Sequence, residues 1–127
     1  MKRLVLPLAI VFAALGFVSA QPHAVAATGT IQGRAVDSIT GAGVGGVKVS
    51  ARDVVHRNVV LARATTSPGG YFTLSHVTQE EVAVLFNGSP VSYETGWLSC
   101  GKTVVPTWGE ACSAGWGAYG KIKIDHT

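Results

Sequence analysis

Val47-Lys48-Val49-Ser50-Ala51-Arg52 alternates apolar and polar side chains without a break. Successive side chains of a strand point to opposite faces. The pattern therefore predicts a half-buried strand with Val47, Val49 and Ala51 inward and Lys48, Ser50 and Arg52 in water. The same period of two runs from Val59 to Thr66, where Val60, Ala62 and Ala64 lie opposite Arg63. Phe72 and Leu74 share one face of a short strand, and Val82 to Phe86 is apolar throughout, as a central strand covered on both sides would be. Lys121-Ile122-Lys123-Ile124 alternates again, with its isoleucines inward and its lysines guarding an outer strand.

Working toward the N-terminus, Ile31, Gly33 and Ala35 share a parity that Val36 breaks, which predicts a bulge or strand end near Asp37. Asp37 opens a turn by accepting from the backbone two residues on, and Gly41 and Gly43 can both take positive φ. Ser67-Pro68-Gly69-Gly70 turns Ala64-Thr65-Thr66 into Tyr71-Phe72. From residue 28 onward no stretch sustains a helical period, and nothing is long enough for a crossover helix. The expected fold is all-β: a small antiparallel β-sandwich of about seven strands in one domain, residues 28–127.

Residues 1–27 read differently. Lys2 and Arg3 precede an apolar run from Leu4 to Val18, and Val18-Ser19-Ala20 supplies the small-x-small pattern of a signal-peptide cleavage site. Ala24-Val25-Ala26-Ala27 offers a second. A run of about 15 apolar residues is shorter than the roughly 20 needed to span a bilayer. The expectation is a signal peptide and short leader, cut after Ala20 or within Ala24–Ala27, and a chain released outside the cell or into the periplasm. The charge balance follows. The whole sequence carries ten basic and seven acidic residues. Without Lys2 and Arg3 its net charge falls from +3 to +1, and the remaining basic residues are scattered along the chain. Nucleic-acid binding calls for a concentrated basic patch, so no nucleic-acid partner is expected, and no membrane partner after cleavage.

Residues 87–119 form an aromatic, glycine-rich region with Trp97, Trp108, Trp116, Tyr93 and Tyr119. It is expected to be a structured, partly stranded loop closed by a disulfide. Cys100 and Cys112 are the only cysteines, their spacing is not C-x-x-C, no histidine is near in sequence, and export passes through an oxidising compartment.

Ile31-Gln32-Gly33-Arg34-Ala35-Val36-Asp37-Ser38-Ile39-Thr40-Gly41 followed by Val44-Gly45-Gly46-Val47-Lys48-Val49 resembles the opening of the carboxypeptidase regulatory-like family. Thr65-Thr66-Ser67-Pro68-Gly69-Gly70-Tyr71-Phe72-Thr73-Leu74 resembles that family's threonine-rich strand turning through glycine into an aromatic strand. The resemblance covers about residues 28 to 86. Gly43 replaces a usual proline, Ser67 a common aspartate, and Glu80-Glu81-Val82 a usual glycine-x-tyrosine. It implies a transthyretin-like (prealbumin-like) sandwich, grouped with carbohydrate-binding-like folds, and typically a non-catalytic appendage or secreted module. It does not reach the aromatic region.

Catalytic readings find little support. No G-x-S-x-G elbow occurs, and Asp37 and Asp53 are explained by turns. His56 and His76 lack the spacing of a zinc motif, and nothing in the spacing of Tyr71, Tyr93, His56 and His76 supports an iron site. The Tyr-Arg-Gly-Ser ending of transthyretin-related hydrolases is replaced by Lys123-Ile124-Asp125-His126-Thr127. An isopeptide bond from the first strand would need a lysine where Arg34 stands. No catalytic residue, metal or cofactor is therefore expected. The function expected is a secreted, non-enzymatic binding or accessory module that recognises carbohydrate or an extracellular protein surface through Trp97, Trp108, Trp116, Tyr93 and Tyr119. The alternatives are a structural domain whose aromatics plug the open end of the sandwich and, last, an enzyme of unknown reaction. Trp97 is the expected core member, and Trp108 or Trp116 the expected exposed ones.

Overall fold

The computed structural model describes residues 27–127. The expected signal sequence and both candidate cleavage sites lie outside the described residues, save Ala27 at their boundary. The described residues form a two-sheet β-sandwich. Its eight strands are β1 (Gly29–Asp37), β2 (Lys48–Arg52), β3 (Val60–Thr65), β4 (Tyr71–Val77), β5 (Ala83–Asn87), β6 (Thr95–Leu98), β7 (Val104–Val105) and β8 (Gly117–Ile124). One sheet has the order β4-β1-β8 and the other β3-β2-β5-β6-β7. No helix among the described residues is long and apolar enough to cross a membrane.

The period-two segments become strands for the reason their spacing implies. Val49 and Ala51 on β2, Phe72 and Leu74 on β4, Val84 and Phe86 on β5, and Ile122 and Ile124 on β8 all turn into one core between the sheets. Phe72 and Phe86 meet edge to face across it, centroids 5.5 Å apart, and so tie one sheet to the other. Lys121 and Lys123 are exposed on the edge strand β8, as expected.

The small all-β sandwich is the one expected, with eight strands where the sequence suggests about seven; the corrections concern its details, and the first is a parallel pair. β1 pairs antiparallel with β4 but parallel with β8, because β8 arrives from the far side of the molecule after the chain has built the other sheet. The irregularities of β1 lie between Gly29 and Ile31 and between Gln32 and Arg34, where the pairing register shifts. At Asp37 the strand ends, as the broken parity predicted. Ser50 is buried rather than in water, and Arg52 is half-buried. Arg52 folds back over the sheet and its Nε donates to Ser50 Oγ at 2.8 Å. β5 is central, but Leu85 on its outer face is only half covered.

The two turns read in the sequence pack on each other. The Asp37 carboxylate accepts from the N–H groups of Ile39 and Thr40 at 2.8 and 2.9 Å, and Gly41 takes φ +78°. Gly43 does not take positive φ. Its requirement is space, since a Cβ there would sit 1.9 Å from the Gly69 carbonyl oxygen. Thr66 is buried beside this junction. Its Oγ1 accepts from Val47 N–H and donates to the Val44 carbonyl, pairing two backbone groups that would otherwise be buried unsatisfied.

Candidate functional site

Residues 87–119 are more closely integrated into the sandwich than a loop would be. β6 adds to β5 and β7 adds to β6, so the region extends the five-stranded sheet. Cys100 and Cys112 form a disulfide, Cα atoms 5.2 Å apart, between the end of β6 and the segment after a short 3-10 turn at Trp108–Glu110. Backbone bonds from Cys112 N to the Leu98 carbonyl and between Val82 and Ala114 return that segment to the sheet.

The five aromatics expected to act together occupy three separate places. Trp116, expected outside, packs against the core. Its indole lies on Gly29 so closely that a Cβ there would be 2.0 Å from Cδ2, and its Nε1 is buried with no hydrogen-bond partner among the described residues. Tyr119 is close by in sequence, half-buried against the same core, and donates from its hydroxyl to the Gly115 carbonyl at 2.6 Å. Tyr93 marks the other end of β1. Its hydroxyl donates to Asp37 Oδ2 at 2.6 Å and its ring meets His126 edge on at 4.8 Å. This hydroxyl is the chief reason the Asp37 carboxyl is held at about 2, with the N–H groups of Thr40 and Ile39 adding to it. The same bond raises the Tyr93 phenol above its usual value.

Trp97, expected in the core, points the other way. On β6 the neighbours Gly96 and Leu98 are buried, and Trp97 lies between them on the opposite, outer face, level with Leu85 of β5. There it meets Trp108 edge to face, ring centroids 5.5 Å apart. Arg57, from the loop joining β2 to β3, lies 4.6 Å from the Trp108 ring centroid and 5.9 Å from that of Trp97. It is held there by donation from Nη1 to the Val54 carbonyl at 2.9 Å, while Arg52 Nη1 donates to the Arg57 carbonyl at 3.1 Å. The loop itself is braced by Asp53, whose carboxylate accepts from the N–H groups of His56 and Val55 and from the Gln79 amide. Led by His56 N–H, these bonds hold the carboxyl at about 2.

A groove of about 480 Å³ adjoins this pair on the same face, with Ser50 and Leu85 among its lining and Lys48, Arg52, Arg63 and Asn87 around them. Sequence reasoning missed these basic residues as a group. Their parity was legible, since Lys48, Arg52 and Arg63 each stand on the outward side of an alternating segment. The pairing of β2 with β3 and β5 that sets them beside Trp97 was not. Asn87 lines the same groove, with its side-chain oxygen accepting from Ser89 N–H and from the hydroxyls of Ser89 and Thr95. No group of three or more His, Cys, Asp or Glu side chains is placed to hold a metal ion among the described residues.

No family model matches the sequence, and a search of curated proteins finds no match. Among solved structures the chain is similar to the group B streptococcus pilus 2b backbone protein, at 14% identity and a TM-score of 0.49. The alignment covers 78% of this chain and 41% of that one, so this chain spans less than half of that protein's length.

Proposed function

We propose that the chain is an exported, non-enzymatic binding module that takes its ligand, a carbohydrate or an extracellular protein surface, on the outer face of the five-stranded sheet. One observation carries the reading. Trp97 and Trp108 are built into a fixed edge-to-face pair outside the core, with Arg57 laid over both. An aromatic pair that only filled a core would lie between the sheets, as Phe72 and Phe86 do. Half-exposed indoles on a rigid strand offer large contact area at little entropic cost. The plug role belongs on this reading to Trp116, Tyr119 and Tyr93, which pack against the core. Binding is tested by immobilising the protein on a glycan array and in pull-downs of extracellular extracts. Trp97→Ala and Trp108→Ala should lose whatever ligand is captured, while Trp116→Phe keeps it. Retention of ligand by both alanine variants would refute the assignment.

The domain is of the carboxypeptidase regulatory-like, transthyretin-like kind on this proposal, supported by the two motif halves meeting at Gly43 and Gly69. Residues 1–27 are its signal peptide and leader. The N-terminal mass of exported protein should place the cut after Ala20 or within Ala24–Ala27, and recovery of intact Met1 would refute it.

A further inference from the structure

We infer that the ligand of this face is an acidic polysaccharide, and that the groove beside Trp97 receives its carboxylate or sulfate groups. The inference rests on the binding reading above and names its ligand class. Lys48 and Arg52 on β2, Arg63 on β3 and Arg57 in the loop between them are half of the eight basic residues from residue 28 onward. The register sets Arg63, Ser50, Leu85 and Trp97 in one cross-strand row, with Lys48 and Asn87 in the next. Every outward residue of these strand segments is neutral or basic.

None of the four cations has a carboxylate within 4.0 Å among the described residues, where the one acid–base contact is His56 with Asp53. The acids nearest in sequence do not compensate them. Asp53 is occupied by two backbone N–H donors of its own loop and by the Gln79 amide, and Glu110 is exposed on the turn that carries Trp108. Like charges gathered without counter-charges repel one another, and a bound polyanion relieves that repulsion. Arg52 and Arg57 are pre-positioned by the bonds to Ser50, Val54 and the Arg57 carbonyl. Each guanidinium has five N–H donors and retains several for a ligand.

The shape favours a polysaccharide over other polyanions. From Arg63 to Trp97 is three strand spacings, about 14 Å, which is room for a few saccharide units lying across the strands. A protein strand would instead add at a sheet edge, and a stable protein interface covers roughly 800 Å² per partner, more than this groove. Single-stranded nucleic acid stacks on a succession of aromatic faces, whereas Trp97 and Trp108 are edge to face and offer one platform.

The test is tryptophan-fluorescence titration of the oxidised protein with heparin and polygalacturonate. Dextran serves as the neutral polymer, and oligo(dT) and polyglutamate as other polyanions. An acidic polysaccharide should bind and dextran should not. With three cations engaged, raising salt from about 50 to about 200 mM should weaken binding about 20-fold. Lys48→Ala with Arg63→Ala, both exposed side chains, should weaken it at least about tenfold. Lys121→Ala with Lys123→Ala removes the same charge from the edge of the other sheet and should leave it unchanged. Equal losses in the two double variants, or tighter binding of oligo(dT) or polyglutamate, would overturn the proposal. If neutral glycans bind through Trp97 and Trp108 while the acidic ones do not, the ligand class falls and the binding reading stands. If no polymer, and no partner from the pull-downs, engages these tryptophans, both fall.

Discussion

Replacing Cys100 and Cys112 by serine should loosen the Trp97–Trp108 pair while leaving the sandwich folded. The bridge joins residues 12 apart, and closing so short a loop removes chain entropy worth about 3 kcal/mol from the unfolded state. Within the closed segment Val104 alone belongs to the buried core cluster, whereas Leu98 and Ala114 flank it and the rest of that core comes from elsewhere. A domain of this size holds roughly 5–15 kcal/mol in all, so the double variant should remain native at room temperature. Its Tm should fall by roughly 12–24 °C, taking 4–8 °C per kcal/mol. The local effect is larger in kind than in energy. Trp108 sits inside the closed loop and would lose its hold on both Trp97 and Arg57. Thermal melts followed by far-ultraviolet dichroism, with near-ultraviolet dichroism and acrylamide quenching at room temperature, separate the two. Strand dichroism should persist while the aromatic bands weaken and quenching rises. A variant unfolded at room temperature would show that the segment from 100 to 112 belongs to the core. An unchanged Tm with unchanged quenching would show that the bridge constrains nothing.

Three further outcomes are expected. Gly43→Ala should cost at least about 2 kcal/mol in urea melts, because its Cβ meets the Gly69 carbonyl and backbone must move; Gly41→Ala, which has open space and only its φ of +78° against it, should cost about 1 kcal/mol. Arg57→Ala should red-shift tryptophan emission and lower stability by about 1–2 kcal/mol, the worth of its stacking on the two indoles. Asp37 and Asp53 both have carboxyls held at about 2, below the ordinary 3.8. A depressed folded-state pKa adds stability above the unfolded value and loses it as pH falls toward the folded one. Tm should therefore be level above about pH 4.5 and fall between about pH 4 and pH 2, and Asp37→Asn should flatten part of that fall.

Much of the secondary structure is written in local pattern. A half-buried strand must alternate, so Val49 and Ala51, Phe72 and Leu74, and Ile122 and Ile124 announce their faces before any partner is known. Turn chemistry is equally local. Asp37 bonds to the backbone of Ile39 and Thr40 whatever sheet follows, and the cysteine pair, alone in the chain, could be read as a bridge.

The candidate site was not legible in that way, because parity says that a side chain faces out but not what lies beside it. Lys48, Arg52, Arg57 and Arg63 look scattered along the chain; they gather because β2 pairs with β3, and they lie beside Trp97 because β5 pairs with both β2 and β6. Trp97 and Trp116 exchanged their expected places for the same reason. Trp97 falls between two positions that face the core, Gly96 and Leu98, and so must turn outward. Trp116 precedes β8, whose parallel pairing with β1 lays the indole on Gly29. The sequence by itself determined the alternating strands and the turns, since each rests on a pattern within a few residues, and it pointed to the bridge because the chain holds two cysteines. Which faces meet, and so which charges and rings share a surface, depends on strand pairings between residues far apart in the chain, and only the tertiary structure decided those.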